Sequence, residues 1–355
     1  LHCLLRRQRQ MCIRDSHDDD DGNGDGDGGD GDGDDHGEER IQSTTDSDTI
    51  NLKGSYKISN NLINQIDYFY SDTDYALQEL HIGGEEDGLF TDFLNDAQEI
   101  GAIFDISNDT LTRKIVVRSM YEDTSITGGE AFMENVDSEE TSFGFFINRN
   151  FDAMDLDLVI RRDEVSRSSI FETVDVDRDF NSFSYLIGFG LDINEMTDLS
   201  LSFGTVERAP SSVELFMDGA HKAVQRFEVG DINLEAEESR NIDLGLNFDN
   251  GIYYGTFNLY RNTVNNYIYR EDAVDALGNP IIDNVGPDAS ELAIANFVQK
   301  NAALEGYELQ FGTSFSFLNG TLALSAGRDY VKGTFEDNTN ICLLYTSDAA
   351  DEASS

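Results

Sequence analysis

Apolar residues alternate with small or polar residues over many short stretches, and this two-residue period constrains the fold more than any other feature of the chain. Residues 183–191 read Phe-Ser-Tyr-Leu-Ile-Gly-Phe-Gly-Leu, and 156–160, 199–204 and 242–248 follow the same rule. Successive side chains of a strand point to opposite faces, so each stretch predicts a strand with one apolar face. The sequence therefore predicts an all-β fold.

Turn signals divide about twelve candidate strands in a regular way. Short turns are predicted at Asn60-Asn61, Asn108-Asp109, Asn150-Phe151-Asp152, Asn194-Glu195-Met196, Asp249-Asn250-Gly251 and Leu318-Asn319-Gly320. Long polar connections are predicted at roughly 72–95, 122–140, 164–179, 207–238 and 263–301. Strict alternation of short and long connections is typical of an antiparallel transmembrane β-barrel, with short periplasmic turns and long extracellular loops. The alternative is a soluble sandwich or solenoid, whose apolar faces would line a shared core.

The segment 17–40 is dominated by Asp and Gly. Ten Asp, seven Gly and one Asn lie between His17 and His36. Such a composition cannot build a hydrophobic core, so we expect a solvated extracellular loop ahead of the first strand, with His17 and His36 among its cation ligands. Its Asp-x-Asn-x-Asp-Gly string at 21–26 matches the opening of an EF-hand, which makes Ca²⁺ a second candidate ion there. Loose collection of cations by many carboxylates is the favoured interpretation.

Both ends of the chain are interpreted as artefacts. Residues 342–352 back-translate into a transposase-type sequencing adapter, and its reverse complement in another frame gives 6–16. Such scars are left out of fold reasoning, which assigns 1–16 and 342–355 to the adapter and 41–341 to the barrel. Cys3, Cys12 and Cys342 all lie in these flanks, so we expect no disulfide, thiolate metal site or cysteine nucleophile.

The formal net charge of −46 argues against binding nucleic acid, which requires clustered Lys and Arg. No apolar run of about 18 residues occurs, so no transmembrane helix is predicted. No Ser/His/Asp or Cys/His arrangement has a supporting context, and we expect no enzyme. The four histidines between the flanks, His17, His36, His81 and His221, all lie in predicted extracellular loops.

One stretch, 207–246, carries the most specific motif of the chain. It contains Arg208-Ala209-Pro210, then Glu214-Leu215, then Gly230-Asp231-Ile232-Asn233-Leu234, then Glu238-Ser239-Arg240-Asn241-Ile242-Asp243-Leu244-Gly245. The order of these strings resembles that of the TonB-dependent outer-membrane receptors, and the resemblance covers most of 40–331.

A narrower resemblance is to the zinc-uptake branch, the ZnuD-like receptors. It rests on Asp218-Gly219-Ala220-His221, Gly129-Glu130-Ala131-Phe132 and Ala303-Leu304-Glu305-Gly306-Tyr307. Two features depart from that branch. Ala220 stands where Pro is usual, and the loop around His81 holds one histidine where several are common.

The resemblance implies about 12 strands of a 22-stranded barrel, from which the plug domain and TonB box are missing. It places the protein in the outer membrane of a Gram-negative bacterium, among outer-membrane lipid. The TonB–ExbB–ExbD complex would drive import through the plug and TonB box. Zn²⁺ would be the transported ligand, and no prosthetic group is implied.

Imidazole nitrogen and carboxylate oxygen are ligands that zinc takes in proteins. The predicted metal ligands are His221 with Asp218, His81 with Glu85, Glu86 and Asp87, and His17 and His36. The alternative cargo is a ferric siderophore or another chelate, whose sites are lined by aromatic and Arg side chains. Aromatic residues are sparse near His221 in the sequence, which favours the metal ion.

Overall fold

The computed structural model describes residues 40–58, 62–83, 88–129, 131–284 and 290–341, and these form one sheet. The predicted turn at 60–61, the segment 17–39 and both flanks lie outside the described residues. The strands are β1 (Arg40–Lys57), β2 (Gln65–Ile82), β3 (Phe90–Asp105), β4 (Thr112–Gly128), β5 (Val136–Phe151), β6 (Met154–Phe171), β7 (Val174–Asn194), β8 (Thr197–Arg208), β9 (Asp218–His221), β10 (Arg226–Val229), β11 (Glu237–Asp249), β12 (Tyr253–Asp272), β13 (Ala293–Phe317) and β14 (Gly320–Phe335). One short helix, α1 (Ser212–Phe216), and a 3₁₀ turn (Lys222–Val224) complete the described elements.

The twelve long strands form an antiparallel meander, in which each strand pairs with the next long strand along the chain. The two short strands, β9 and β10, branch from this path, because β10 pairs with the start of β13. Within the part of the chain that the structure describes, the prediction of twelve barrel strands is confirmed.

The two faces of the wall differ as the alternation predicted. On the outer face, Leu201 lies opposite Leu244, which in turn lies opposite Leu259. On the inner face, Ser202 donates a hydrogen bond of 3.0 Å to Asp243 of the neighbouring strand. An apolar outer surface and a polar interior are those of a transmembrane barrel.

The short turns fall where the sequence placed them, among the residues described. Asp152 (φ 58°) lies between β5 and β6, Gly251 (φ 82°) between β11 and β12, and Leu318 (φ 51°) between β13 and β14. Tight hairpins need such left-handed positions, which Asn, Asp and Gly adopt most readily.

The long connections are shorter than predicted, because the strands continue beyond the membrane. The predicted loop 164–179 is strand except for a turn at Glu172 and Thr173, both with positive φ. β13 has 25 residues, whereas a bilayer needs about 9–11 per tilted strand. Above the bilayer both faces of a strand meet water, so the alternation that marks a strand in the sequence is lost. Among the strands that the structure describes, only the β8–β11 and β12–β13 connections remain long.

The β8–β11 connection folds into the mouth of the barrel and supplies five of the twelve residues of its buried apolar cluster. α1 starts with a capping box, in which Ser211 and Glu214 each bond the other's backbone amide. Leu215 and Phe216 of α1 are fully buried, and they belong to one cluster with Val165 and Phe180 of the inner wall. This cluster holds the connection against the wall and positions the residues that follow α1.

No helix in the described ranges has the length and apolar character needed to cross a membrane.

Candidate metal centre

The candidate site lies on the hairpin of β9 and β10, in the β8–β11 connection. The two strands pair antiparallel, with His221 opposite Arg226, and Gln225 takes the left-handed conformation (φ 52°) that closes the turn. β10 also pairs in parallel with residues Ala293–Asn296 at the start of β13. The hairpin is therefore hydrogen-bonded into the wall and does not hang freely over the mouth.

His221 meets a buried carboxylate. Its Nδ1 lies 3.0 Å from Oε2 of Glu228, and both residues are less than 10% exposed. The other oxygen of Glu228 accepts from the guanidinium of Arg270, which reaches across from β12. The carboxylate thus bridges an imidazole and a guanidinium. A histidine that donates Nδ1–H to a carboxylate coordinates metals through Nε2, and its ring orientation is fixed by that partner.

Two aromatic rings enclose the imidazole. The ring of Phe132 stacks on His221 with centroids 4.7 Å apart, and Phe93 of β3 lies 6.4 Å from His221 and 5.8 Å from Phe132. The expectation of few aromatics near His221 is therefore wrong, because Phe93 and Phe132 come from distant parts of the sequence.

A glycine allows this close packing. A Cβ placed on Gly219 would lie 2.7 Å from Cβ of Phe132. The Gly-Ala-His string of the hairpin and the Ala-Phe string before β5 therefore pack on each other. These are two of the strings on which the resemblance to the zinc-uptake branch rests.

His81 lies at the end of β2 and is 1% exposed. Its backbone bonds to Leu89 and Gly88, each at 2.9 Å. By the period of two it shares a face with Leu77, which lies opposite Phe93 in the β2–β3 ladder. His81 and His221 therefore lie on the same inner side of the wall, with His81 about 13 Å further along β2 than Leu77. The neighbouring predicted ligands Glu85, Glu86 and Asp87 lie outside the described residues.

Asp218 is not the partner of His221. The two residues stand three positions apart on β9, so their side chains lie on opposite faces, and Asp218 is exposed. Partial burial and the negative charge of Glu172 raise the pKa of Asp218 above its ordinary value. The carboxylate that meets His221 belongs instead to Glu228, which the sequence reasoning missed. The sequence signal that could have revealed this hairpin is a pair of four-residue stretches, 218–221 and 226–229, on either side of a turn.

The described residues contain no group of three His, Cys, Asp or Glu side chains arranged to hold a metal ion. His221 and Glu228 supply a histidine with its orienting carboxylate, and any further ligands would come from elsewhere at the mouth. His17 and His36, predicted as ligands, lie outside the described residues.

A tall antiparallel wall, apolar outside and polar within, with a folded connection in its mouth, defines an outer-membrane β-barrel of the receptor type. The chain belongs to the TonB-dependent receptor β-barrel family, whose model, described as "TonB dependent receptor-like, beta-barrel", matches residues 12–351. The family lies in the outer membrane of Gram-negative bacteria, and so does this barrel. The match reaches into both flanks, whose adapter origin stays a prediction.

Solved structures of this family share the fold at low identity. The copper transporter OprC superposes with a TM-score of 0.68 at 13% identity, over 83% of this chain and 47% of that one. The FrpB iron transporter from Neisseria meningitidis gives 0.59 at 15%, over 82% and 45%. The alcaligin receptor FauA from Bordetella pertussis gives 0.57 at 15%, over 85% and 48%. The chain therefore spans about half the length of each of these structures.

Proposed function

We propose that the chain is part of a TonB-dependent receptor that imports a metal ion or a metal chelate, with Zn²⁺ as the cargo. The proposal rests on family membership and, above all, on the buried pair of His221 and Glu228 at the mouth. Import would be driven by the TonB–ExbB–ExbD complex acting through the plug and TonB box. The outer-membrane lipid is the other partner, and no catalytic or nucleic-acid-binding role is proposed.

Zinc is favoured by the chemistry of the donors. Zn²⁺ takes imidazole nitrogen and carboxylate oxygen, and a ligating histidine carries a hydrogen-bonded carboxylate behind it. Glu228 occupies that supporting position behind His221, and Arg270 holds the carboxylate in place. We propose that His81, on the same inner side, and the acidic residues 85–87 supply further ligands.

A second candidate cargo is a ferric siderophore or another chelate. Phe93 and Phe132 flank His221, and Arg270 lies behind Glu228, so aromatic and cationic groups are present at the mouth. The names of the similar structures span copper, iron and alcaligin, and one fold can serve different functions.

The deciding experiment is equilibrium binding to the purified full-length receptor, with Zn²⁺ competed against Ca²⁺ and against ferric chelates. His221→Ala and His81→Ala are compared with Glu195→Ala, an exposed residue in the turn at the opposite end of the barrel. Zinc binding that weakens at least tenfold in the histidine variants, and is unchanged in the control, supports zinc import. Chelate binding with indifference to zinc moves the proposal to the siderophore class, and equal affinity in all variants removes His221 from the site.

A further inference from the structure

Three basic side chains gather on the outer face of β12–β14, in a chain that has 24 Lys and Arg against 70 Asp and Glu. Arg261 lies opposite Glu305, which lies opposite Lys332, so these three share one rung of the outer face. Arg328 and Tyr330 precede Lys332 on the same face of β14. We call Arg261, Arg328 and Lys332 the basic patch.

The basic patch is not neutralised by its neighbours. Its three side chains are exposed, and within the described ranges no ion pair reaches any of them. Two other outward arginines are paired, since Arg162 lies 2.8 Å from Glu164 and Arg240 lies 2.6 Å from Glu238. Glu305, the acid between Arg261 and Lys332, offsets one of the three charges.

An apolar groove meets the rung of Arg261, Glu305 and Lys332 from its periplasmic side. It has a volume of about 540 Å³. Its walls are Leu201, Ile242, Leu244, Leu259, Tyr307 and Tyr330. The two tyrosine rings stack with centroids 5.8 Å apart. Tyrosine at the edge of an apolar band marks the level of the membrane interface. Arg261 and Glu305 also line the groove, so it ends at charged groups.

Arg261 and Lys332 lie on the extracellular half of the barrel wall, at the level of the outer leaflet. β12 and β14 both begin at short turns, at Gly251 and at Leu318, and short turns of such barrels face the periplasm. Arg261 and Lys332 lie beyond the apolar positions Leu259 and Leu324, and therefore toward the extracellular side. Arg261 and Lys332 therefore stand at the level expected for the phosphates of the outer leaflet.

The opposite side of the wall has the reverse charge. Asp48, Asp74, Asp96, Asp123 and Asp137 lie directly opposite one another across β1–β5. We call these five residues the aspartate rung. Because charge is segregated around the barrel, anionic headgroups are repelled from β1–β5 and attracted to β12–β14.

We propose that the groove, with Arg261 and Lys332 of the basic patch, binds one phosphorylated lipid of the outer leaflet. An acyl chain lies in the groove against Leu244 and Leu259, and the phosphate is held by Arg261 and Lys332. Arg328 lies on the periplasmic side of Tyr330, opposite Leu309, and is not part of the phosphate site. Arg binds phosphate through paired donors, and both cations act close to the low-dielectric edge of the membrane. Tyr330 packs its ring on the lipid and places its hydroxyl at the headgroup level.

The test uses the full-length receptor in detergent and native mass spectrometry with two probes that share their acyl chains, dipalmitoyl phosphatidic acid and dipalmitoyl glycerol. Each lost charge should weaken phosphatidic acid binding about fivefold, so Arg261→Gln with Lys332→Gln should weaken it by more than tenfold. Arg162→Gln, an outward arginine that is already paired with Glu164, is the matched control and should bind as the parent does.

Diacylglycerol should bind weakly to every variant, because it lacks the phosphate. Equal binding of the two probes, or unchanged phosphatidic acid binding in the double variant, would overturn the proposal. Arg261 and Lys332 lie on the outer face of the barrel wall, whereas His221 lies inside the mouth. Metal binding is therefore expected to be unchanged in the double variant. Failure of the lipid site is therefore distinguishable from failure of the proposed import function.

Discussion

Nδ1 of His221 and Oε2 of Glu228 lie 3.0 Å apart, and neither residue is exposed to bulk water. A buried carboxylate next to an imidazole fixes the ring orientation and increases the basicity of the nitrogen that faces away. The pair is built by the turn at Gln225, which brings β10 back along β9. Glu228 therefore controls how His221 is presented at the mouth.

Removing the charge of this partner should weaken metal capture. We expect Glu228→Gln to reduce Zn²⁺ affinity about 10–100-fold, as loss of a supporting carboxylate does in metal sites. Glu235→Gln, an exposed residue on the same connection, is the control and should leave affinity unchanged. Calorimetric titration of the full-length receptor measures both. If Glu228→Gln binds Zn²⁺ with the affinity of the parent, Glu228 has a structural role only and does not support metal binding.

The contact between Gly219 and Phe132 should tolerate no added methyl group. In Gly219→Ala the new Cβ would stand 2.7 Å from that of Phe132, so the hairpin or the ring must shift. Overpacking of this kind costs about 1–3 kcal/mol. Hydrogen exchange should show faster opening of β9 and β10 in this variant. Gly320→Ala, whose Cβ meets nothing within 4 Å, should leave exchange of the hairpin unaltered.

Asp218 should make the stability of the receptor depend on pH. Its raised pKa means that the folded state disfavours its charge, so its contribution is most favourable at acid pH and is lost as pH rises through the folded-state pKa. We expect Asp218→Asn to raise the melting temperature at pH 7 and to leave it unchanged below the ordinary pKa of 3.8. Thermal unfolding at the two pH values measures this. A melting temperature at pH 7 equal to that of the parent would contradict the prediction.

The aspartate rung should make the wall sensitive to salt. Like charges directly opposite each other on neighbouring strands destabilise a sheet, by roughly 0.2–1 kcal/mol per pair. Replacing both Asp74 and Asp96 with Asn should raise the melting temperature at low ionic strength, and the gain should shrink as salt screens the exposed charges. Asp109→Asn, in a turn at the other end of the barrel, should give no such gain. A gain independent of salt would point to a cause other than charge.

The strands and turns could be predicted from the sequence wherever the membrane imposes an alternating pattern of apolar and polar residues. Leu199, Leu201 and Phe203 alternate with small polar residues because one face meets lipid, and Gly251 marks a tight turn because its φ is positive. Above the bilayer this constraint ends. The polar run 164–179 therefore resembled a loop, although it forms a continuous hairpin around Glu172 and Thr173.

The candidate site could be predicted less completely, because its geometry depends on contacts between segments that are distant in the sequence. His221 could be selected by its motif, but its partner Glu228 is brought to it by a hairpin in a connection with a 3₁₀ turn. Phe93 and Phe132 reach the imidazole from β3 and from the β4–β5 connection. No local periodicity in the sequence indicates contacts between segments so far apart.

The parallel pairing of β10 with β13 also orders the assembly of the barrel. Hairpins such as β6–β7 join neighbours in the chain, whereas Arg226–Val229 pairs with Ala293–Asn296, which follows two further long strands in the sequence. Non-local pairings of this kind form slowly, because a long stretch of chain must first be closed into a loop. We therefore expect the hairpin that carries His221 to dock late, after β13 has joined the wall.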